Sequence, residues 1–109
     1  MKILLLAAAV AWLICEGEAL SCYSCDAVDT DEICNKSGEM KCGPHTDTCY
    51  AIQGGMQGGQ FKAVRKGCTS LEKCRKVKAE QPCDVTQLHW ACVDCCQTDS
   101  CNRVSPSPP

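Results

Sequence analysis

Cysteine constrains this chain more than any other residue: thirteen of its 109 residues are Cys. That density in a short chain marks a disulfide scaffold. The count first needs correcting for a leader. Lys2 supplies a positive start, Ile3 to Ile14 is an unbroken apolar run, and Gly17-Glu18-Ala19 places small residues at a cleavage site. This is the layout of a secretory signal peptide over residues 1–19, and the run is too short to cross a bilayer, which needs roughly 20 apolar residues. Cys15 leaves with the leader. Twelve cysteines remain: Cys22, Cys25, Cys34, Cys42, Cys49, Cys68, Cys74, Cys83, Cys92, Cys95, Cys96 and Cys101. An even number in an exported chain predicts six bridges and no free thiol.

Burial alone could not hold such a chain together. Beyond the leader its aromatic residues are Tyr23, Tyr50, Phe61 and Trp90. Chains of this size have marginal cores and commonly need staples. A bridge closing about 28 residues contributes roughly 3 to 4 kcal/mol by restricting the unfolded chain.

The cysteines divide the chain into three long loops and a tail. Residues 26–41, with Cys34 inside, are rich in Asp, Thr, Asn, Ser and Gly and read as turns. Residues 50–67 carry two strand-like runs, Tyr50 to Ile52 and Phe61 to Val64, around Gly54-Gly55-Met56-Gln57-Gly58-Gly59. That pattern predicts a β-hairpin with a freely moving glycine-rich tip. Residues 75–94 contain Cys83 and Cys92, and Leu88 to Val93 is their best strand. Pro82 limits any strand before it to an edge. No long helical pattern stands out. The tail, residues 103–109, is polar and proline-rich. A lipid-anchor signal would need about 10 to 20 hydrophobic residues there, so a released protein is expected.

Charge is nearly balanced once the leader is removed, but it is unevenly placed. Residues 26–41 hold five acids (Asp26, Asp29, Asp31, Glu32, Glu39) against Lys36 and Lys41. Residues 62–78 hold seven bases (Lys62, Arg65, Lys66, Lys73, Arg75, Lys76, Lys78) against Glu72. Such asymmetry reads as a solvated face or as a partner surface for polyanions or membrane headgroups.

The ends of the mature chain carry a resemblance. Leu20-Ser21-Cys22-Tyr23-Ser24-Cys25 at the start, and Cys95-Cys96-Gln97-Thr98-Asp99-Ser100-Cys101-Asn102 at the end, resemble the two ends of a three-finger domain. This is the superfamily of snake neurotoxins, lymphocyte antigens and the urokinase receptor. The resemblance implies a small disulfide-rich all-β fold over residues 20–102, with three β-hairpin fingers projecting from a stapled palm. Carried over position by position, it implies the bridges Cys22–Cys49, Cys25–Cys34, Cys42–Cys68, Cys74–Cys95 and Cys96–Cys101. Cys83 and Cys92 are left to pair inside finger three. Without the resemblance, twelve cysteines allow about ten thousand connectivities. It also implies that Asn102 ties palm strands together through its amide.

Catalysis is not expected. The Cys-x-x-Cys pairs at Cys22/Cys25 and Cys92/Cys95 have the spacing of zinc ligands or a redox dithiol, but export and the even count favour disulfides. His45 and His89 are lone, with His45 in a turn after Gly43-Pro44 and His89 on a strand. A Cys-His nucleophile needs a free thiolate. No metal or cofactor is expected, and no nucleic acid. Asn35-Lys36-Ser37 is an N-glycosylation sequon, so Asn35 is a candidate acceptor. The expected role is that of a secreted monomer binding an extracellular or membrane-receptor protein. The resemblance makes a nicotinic-type receptor one such partner; the alternatives are a secreted inhibitor, a secretion-fluid or pheromone-like factor, and a polyanion or membrane-surface binder. Candidate contact residues are Met56, Gln57, Phe61, Lys62 and Arg65 on finger two, because binding residues concentrate on loops held by a rigid scaffold.

Overall fold

The computed structural model describes residues 19–59 and 61–109. The expected leader falls outside this range apart from Ala19. The described chain runs β1 (Ser21–Tyr23), β2 (Cys25–Val28), α1 (Asp31–Lys36), β3 (Glu39–Lys41), β4 (Thr48–Met56), a 3-10 turn (Gln57–Gly59), β5 (Lys62–Thr69), α2 (Leu71–Glu80) and β6 (His89–Cys96). β1 and β3 form a two-stranded ribbon, and the other strands form an antiparallel sheet in the order β2-β5-β4-β6.

Six bridges hold these elements: Cys22–Cys49, Cys25–Cys34, Cys42–Cys68, Cys74–Cys95, Cys83–Cys92 and Cys96–Cys101. In the palm Cys22, Cys42 and Cys49 are buried, and Leu20, Cys68, Cys96 and Cys101 pack against them. The core of the palm is therefore sulfur rather than aliphatic side chains. Three sulfurs, two from one bridge and one from another, also lie close together in each of two groups, Cys22/Cys42/Cys68 and Cys49/Cys96/Cys101. They are oxidised, and a metal ligand must be a thiolate.

Asn102, 2% exposed, completes the palm. Its Oδ1 accepts from Tyr23 N at 2.9 Å, and its Nδ2 donates to the carbonyls of Tyr23 and Tyr50 at 3.0 Å each. One amide thus joins the end of the chain to β1 and β4.

Two helices correct the reading of the loops. α1 starts at Thr30, whose Oγ1 accepts from Ile33 N at 3.1 Å, with Asp31 and Glu32 in its first turn and Lys36 in its last. α2 starts at Ser70, whose Oγ accepts from Lys73 N at 3.2 Å. The capping hydroxyls satisfy donors the helix cannot, and the charges suit its dipole. Leu71, Cys74 and Val77 recur every three residues along α2, and most of its other residues are strong helix formers. The helix occupies the place before Pro82 where at most an edge strand was expected.

The central sheet is covered on both faces. Opposed residues on neighbouring strands share a face. One face carries Lys62, Val64 and Lys66 of β5, Gly55, Gln53 and Ala51 of β4, and Trp90, Cys92 and Asp94 of β6. The other carries Arg65, Ile52, Tyr50 and Val93, and α2 lies over it, bridged by Cys74–Cys95. The cover on the first face is the tail. Ser105 is buried and bonded to Asp31, Pro106 lines one groove together with Cys83 and Cys92, and Pro108 lines another together with Trp90 and Lys62. The segment set apart on sequence as a proline-rich tail packs on the domain and shields part of its core.

Candidate binding surfaces

Finger two is β4 and β5, with the 3-10 turn Gln57–Gly59 following β4. Its glycines do different work from the flexibility expected of them. A Cβ on Gly55 would stand 2.2 Å from the Phe61 carbonyl oxygen and 2.7 Å from the Trp90 ring, closer than real Cβ atoms come. Gly55 is thus the space that Trp90 fills. Gly58, at φ +85°, takes the left-handed conformation that turns the chain.

The tip is fastened to finger three. Gln57 N donates to Leu88 O at 2.9 Å, Gln57 Nε2 to Thr86 O at 2.9 Å, and Trp90 Nε1 to Met56 O at 3.0 Å. Met56 N also donates to Phe61 O at 3.2 Å. Finger three contributes its own turn, where Asp84 Oδ1 accepts from the N and Oγ1 of Thr86. Those bonds hold the Asp84 carboxyl below its ordinary value. The two fingertips form one knuckle. It carries four partly or largely exposed apolar side chains: Phe61 (72%), Leu88 (62%), Met56 (38%) and Val85 (37%).

The five expected contact residues are not one patch. Met56 and Phe61 lie on the knuckle. Gln57 is the clasp between the fingers, so its amide is engaged. Lys62 and Arg65 leave β5 on opposite faces, because strand side chains alternate. Lys62 lines the groove under Pro108. Arg65 reaches Asp26 of finger one at 2.8 Å and edges a cavity of about 250 Å³ with Tyr50, Ile52, Lys73, Val77 and Val93 beneath α2. Burial raises the Tyr50 hydroxyl above its ordinary value, with Asp26 adding to the rise and Arg65 opposing it. Val85 and Leu88 escaped sequence reasoning. Only their isolated apolar character in a polar loop could have signalled them.

The charge asymmetry also has a structural meaning. Acids of finger one face bases of finger two across the β2–β5 pairing: Asp26 with Arg65, and Asp31 with Lys66. Lys78 pairs with Asp94 at 3.4 Å. The basic run 62–78 is therefore divided among a buried ion pair, two surface pairs and solvent.

Lys66 is the only charged side chain buried among the described residues, at 1% exposure. Its ammonium donates to Asp31 Oδ1 at 2.8 Å, Asn35 Oδ1 at 2.9 Å and Arg103 O at 2.6 Å, and stands 5.8 Å from the Tyr23 ring centre. Three donors meet three acceptors, which is what permits a lysine there. Ser105 adds its N–H and hydroxyl to Asp31 at 3.0 and 3.1 Å. Burial pulls the Asp31 carboxyl upward, but the bonds from Lys66 and Ser105 and the Lys66 charge outweigh it and hold it below 3.8. The sequon residue Asn35 is part of this cluster, because its Nδ2 donates to Arg103 O at 3.1 Å.

Six bridges, two finger-one/finger-two ion pairs and a C-terminal asparagine holding the palm make up this frame. The family model of the u-PAR/Ly-6 domain matches residues 18–104. The chain belongs to the u-PAR/Ly-6 family. That places it in the three-finger superfamily, as the sequence resemblance implied. No individual curated protein matches it at a significant level. A u-PAR/Ly-6 domain is consistent with a small extracellular binding protein, and domains of this family are generally non-enzymatic. Among the described residues no helix is long and apolar enough to cross a membrane.

Proposed function

We propose that this u-PAR/Ly-6 protein is secreted and acts as a ligand or modulator of a membrane receptor, engaging it through the joined tips of fingers two and three. The observation that carries this reading is the knuckle itself. Phe61, Leu88, Met56 and Val85 are exposed on two loops that Gln57 and Trp90 lock together. Exposed apolar side chains grouped on a rigid support favour association, since little ordering entropy remains to be lost on binding. The knuckle also lies at the ends of the fingers, away from the sulfur core of the palm. A polyanion-binding role draws less support, because the basic run does not form one surface.

The test is binding of the labelled, folded protein to cells of its source tissue. Phe61→Ser and Leu88→Ser are expected to weaken binding at least tenfold each, while Lys76→Ala on α2 leaves it unchanged. Full binding by both tip variants, with loss from the α2 variant, would move the contact to the helix face.

A further inference from the structure

We infer that Asn35 is an N-glycan acceptor, and that the glycan and the docked C-terminal tail exclude one another. The inference rests on the reading of the chain as secreted, since glycan transfer takes place on the secretory route.

The argument is geometric. Asn35 Oδ1 accepts from Lys66 Nζ at 2.9 Å, Asn35 Nδ2 donates to Arg103 O at 3.1 Å, and Lys66 Nζ donates to the same Arg103 O at 2.6 Å. The amide cannot be flipped, because an ammonium only donates and a carbonyl only accepts. The three contacts close a ring through the amide. That ring closes only if the Nδ2 hydrogen in use lies on the same side of the amide as Oδ1. From the other hydrogen, Arg103 O would lie so far from Oδ1 that an ammonium touching both would overlap the amide.

Glycan transfer replaces that same hydrogen. In the reaction, Nδ2 attacks C1 of an oligosaccharide carried on a lipid diphosphate. The N–C1 bond forms, the C1–O bond to phosphate breaks, Nδ2 gives up a proton to a base of the transferase, and the lipid diphosphate leaves. The product is a secondary amide, and a secondary amide is trans. In the trans form the substituent lies on the carbonyl-oxygen side. The sugar therefore takes the position that Arg103 O occupies in the docked tail.

Chain order decides which event can come first. Arg103 follows Asn35 by 68 residues, so the sequon enters the secretory compartment before the tail does. Once folded, Asn35 lies within α1, with its amide inside the cluster and Ser37 Oγ bonded back to Ile33 O. The acceptor is open early and closed late. A chain modified early keeps the Lys66–Asp31 pair but loses the seat of Arg103. The segment 103–108 then loses its first attachment and uncovers the Trp90 and Cys92 face. Water can reach Gln53 Oε1 on that face, which is buried without a hydrogen-bond partner.

The experiment expresses the full chain in a glycosylating secretory host and reads the secreted protein by mass. Amide hydrogen exchange at Ser105, whose N–H donates to Asp31, reports on the tail. The reference is Ser37→Ala, which abolishes the sequon and leaves Asn35 intact. Ser105 in the glycosylated protein is expected to exchange at least tenfold faster than in Ser37→Ala. Equal protection in the two would overturn the exclusion. Secreted protein that never carries a glycan at Asn35 would overturn the acceptor assignment. A chain that does not enter the secretory route would overturn the functional reading and this inference with it.

Discussion

Replacing Lys66 by methionine keeps the length of the side chain and removes its charge. The wild-type ammonium has three acceptors at 2.6 to 2.9 Å and no contact with water. Removing one partner of a buried pair costs about 3–5 kcal/mol. Two features place Lys66→Met at the lower end of that range. The Asp31 side chain is 31% exposed, so its carboxylate regains some hydration. Asn35 and Arg103 keep their own hydrogen bond. The expected loss is therefore about 3 kcal/mol, roughly a hundredfold in the unfolding equilibrium, since 1.36 kcal/mol is tenfold. Urea unfolding of the protein made without a glycan, at neutral pH with all bridges intact, measures it, followed by fluorescence of Trp90. A double-mutant cycle with Asp31→Asn should show coupling of at least about 1 kcal/mol. A loss below about 1 kcal/mol, or no coupling, would mean that the ion pair is solvated and that Lys66 does not organise the tail.

Gly55→Ala should cost about 1–3 kcal/mol through overpacking against a backbone carbonyl and the Trp90 ring; a near-ultraviolet spectrum and urea midpoint unchanged from wild type would show that the hairpin yields freely. Acid should weaken the tail cluster. A carboxyl held low in the folded state adds stability that is complete above its unfolded value, near 3.8, and fades as pH falls through the lower folded value. The difference in urea midpoint between wild type and Asp31→Asn should thus be constant above about pH 5 and shrink as pH falls below 3.8; a difference that begins to shrink well above 3.8 would contradict the assignment.

The frame was legible in the sequence because cysteine spacing is a covalent constraint. Twelve cysteines beyond residue 19 pointed to six bridges, and the motif from Cys95 to Asn102 pointed to the three-finger superfamily. The finger-two hairpin and the strand around Trp90 followed from local pattern. The helices were legible in Thr30 and Ser70 as caps with acids just after them, a signal weaker than the cysteine spacing because a cap is worth only about 1 kcal/mol.

What the tertiary structure alone decided concerns pairs distant in sequence. Whether Gly55 is a hinge or a space for Trp90 depends on strand register across 35 residues, which no local window contains. Whether Lys66 is a surface charge or a buried hub depends on acceptors at 31, 35 and 103, drawn from three separate segments. The same holds for the tail. Its Ser-Pro composition reads as solvated chain, and it becomes cover only because the fold sets Asp31, Cys92 and Trp90 in its path. Composition and spacing fix which bonds a chain can make, whereas contacts between distant segments exist only once the fold has brought them together.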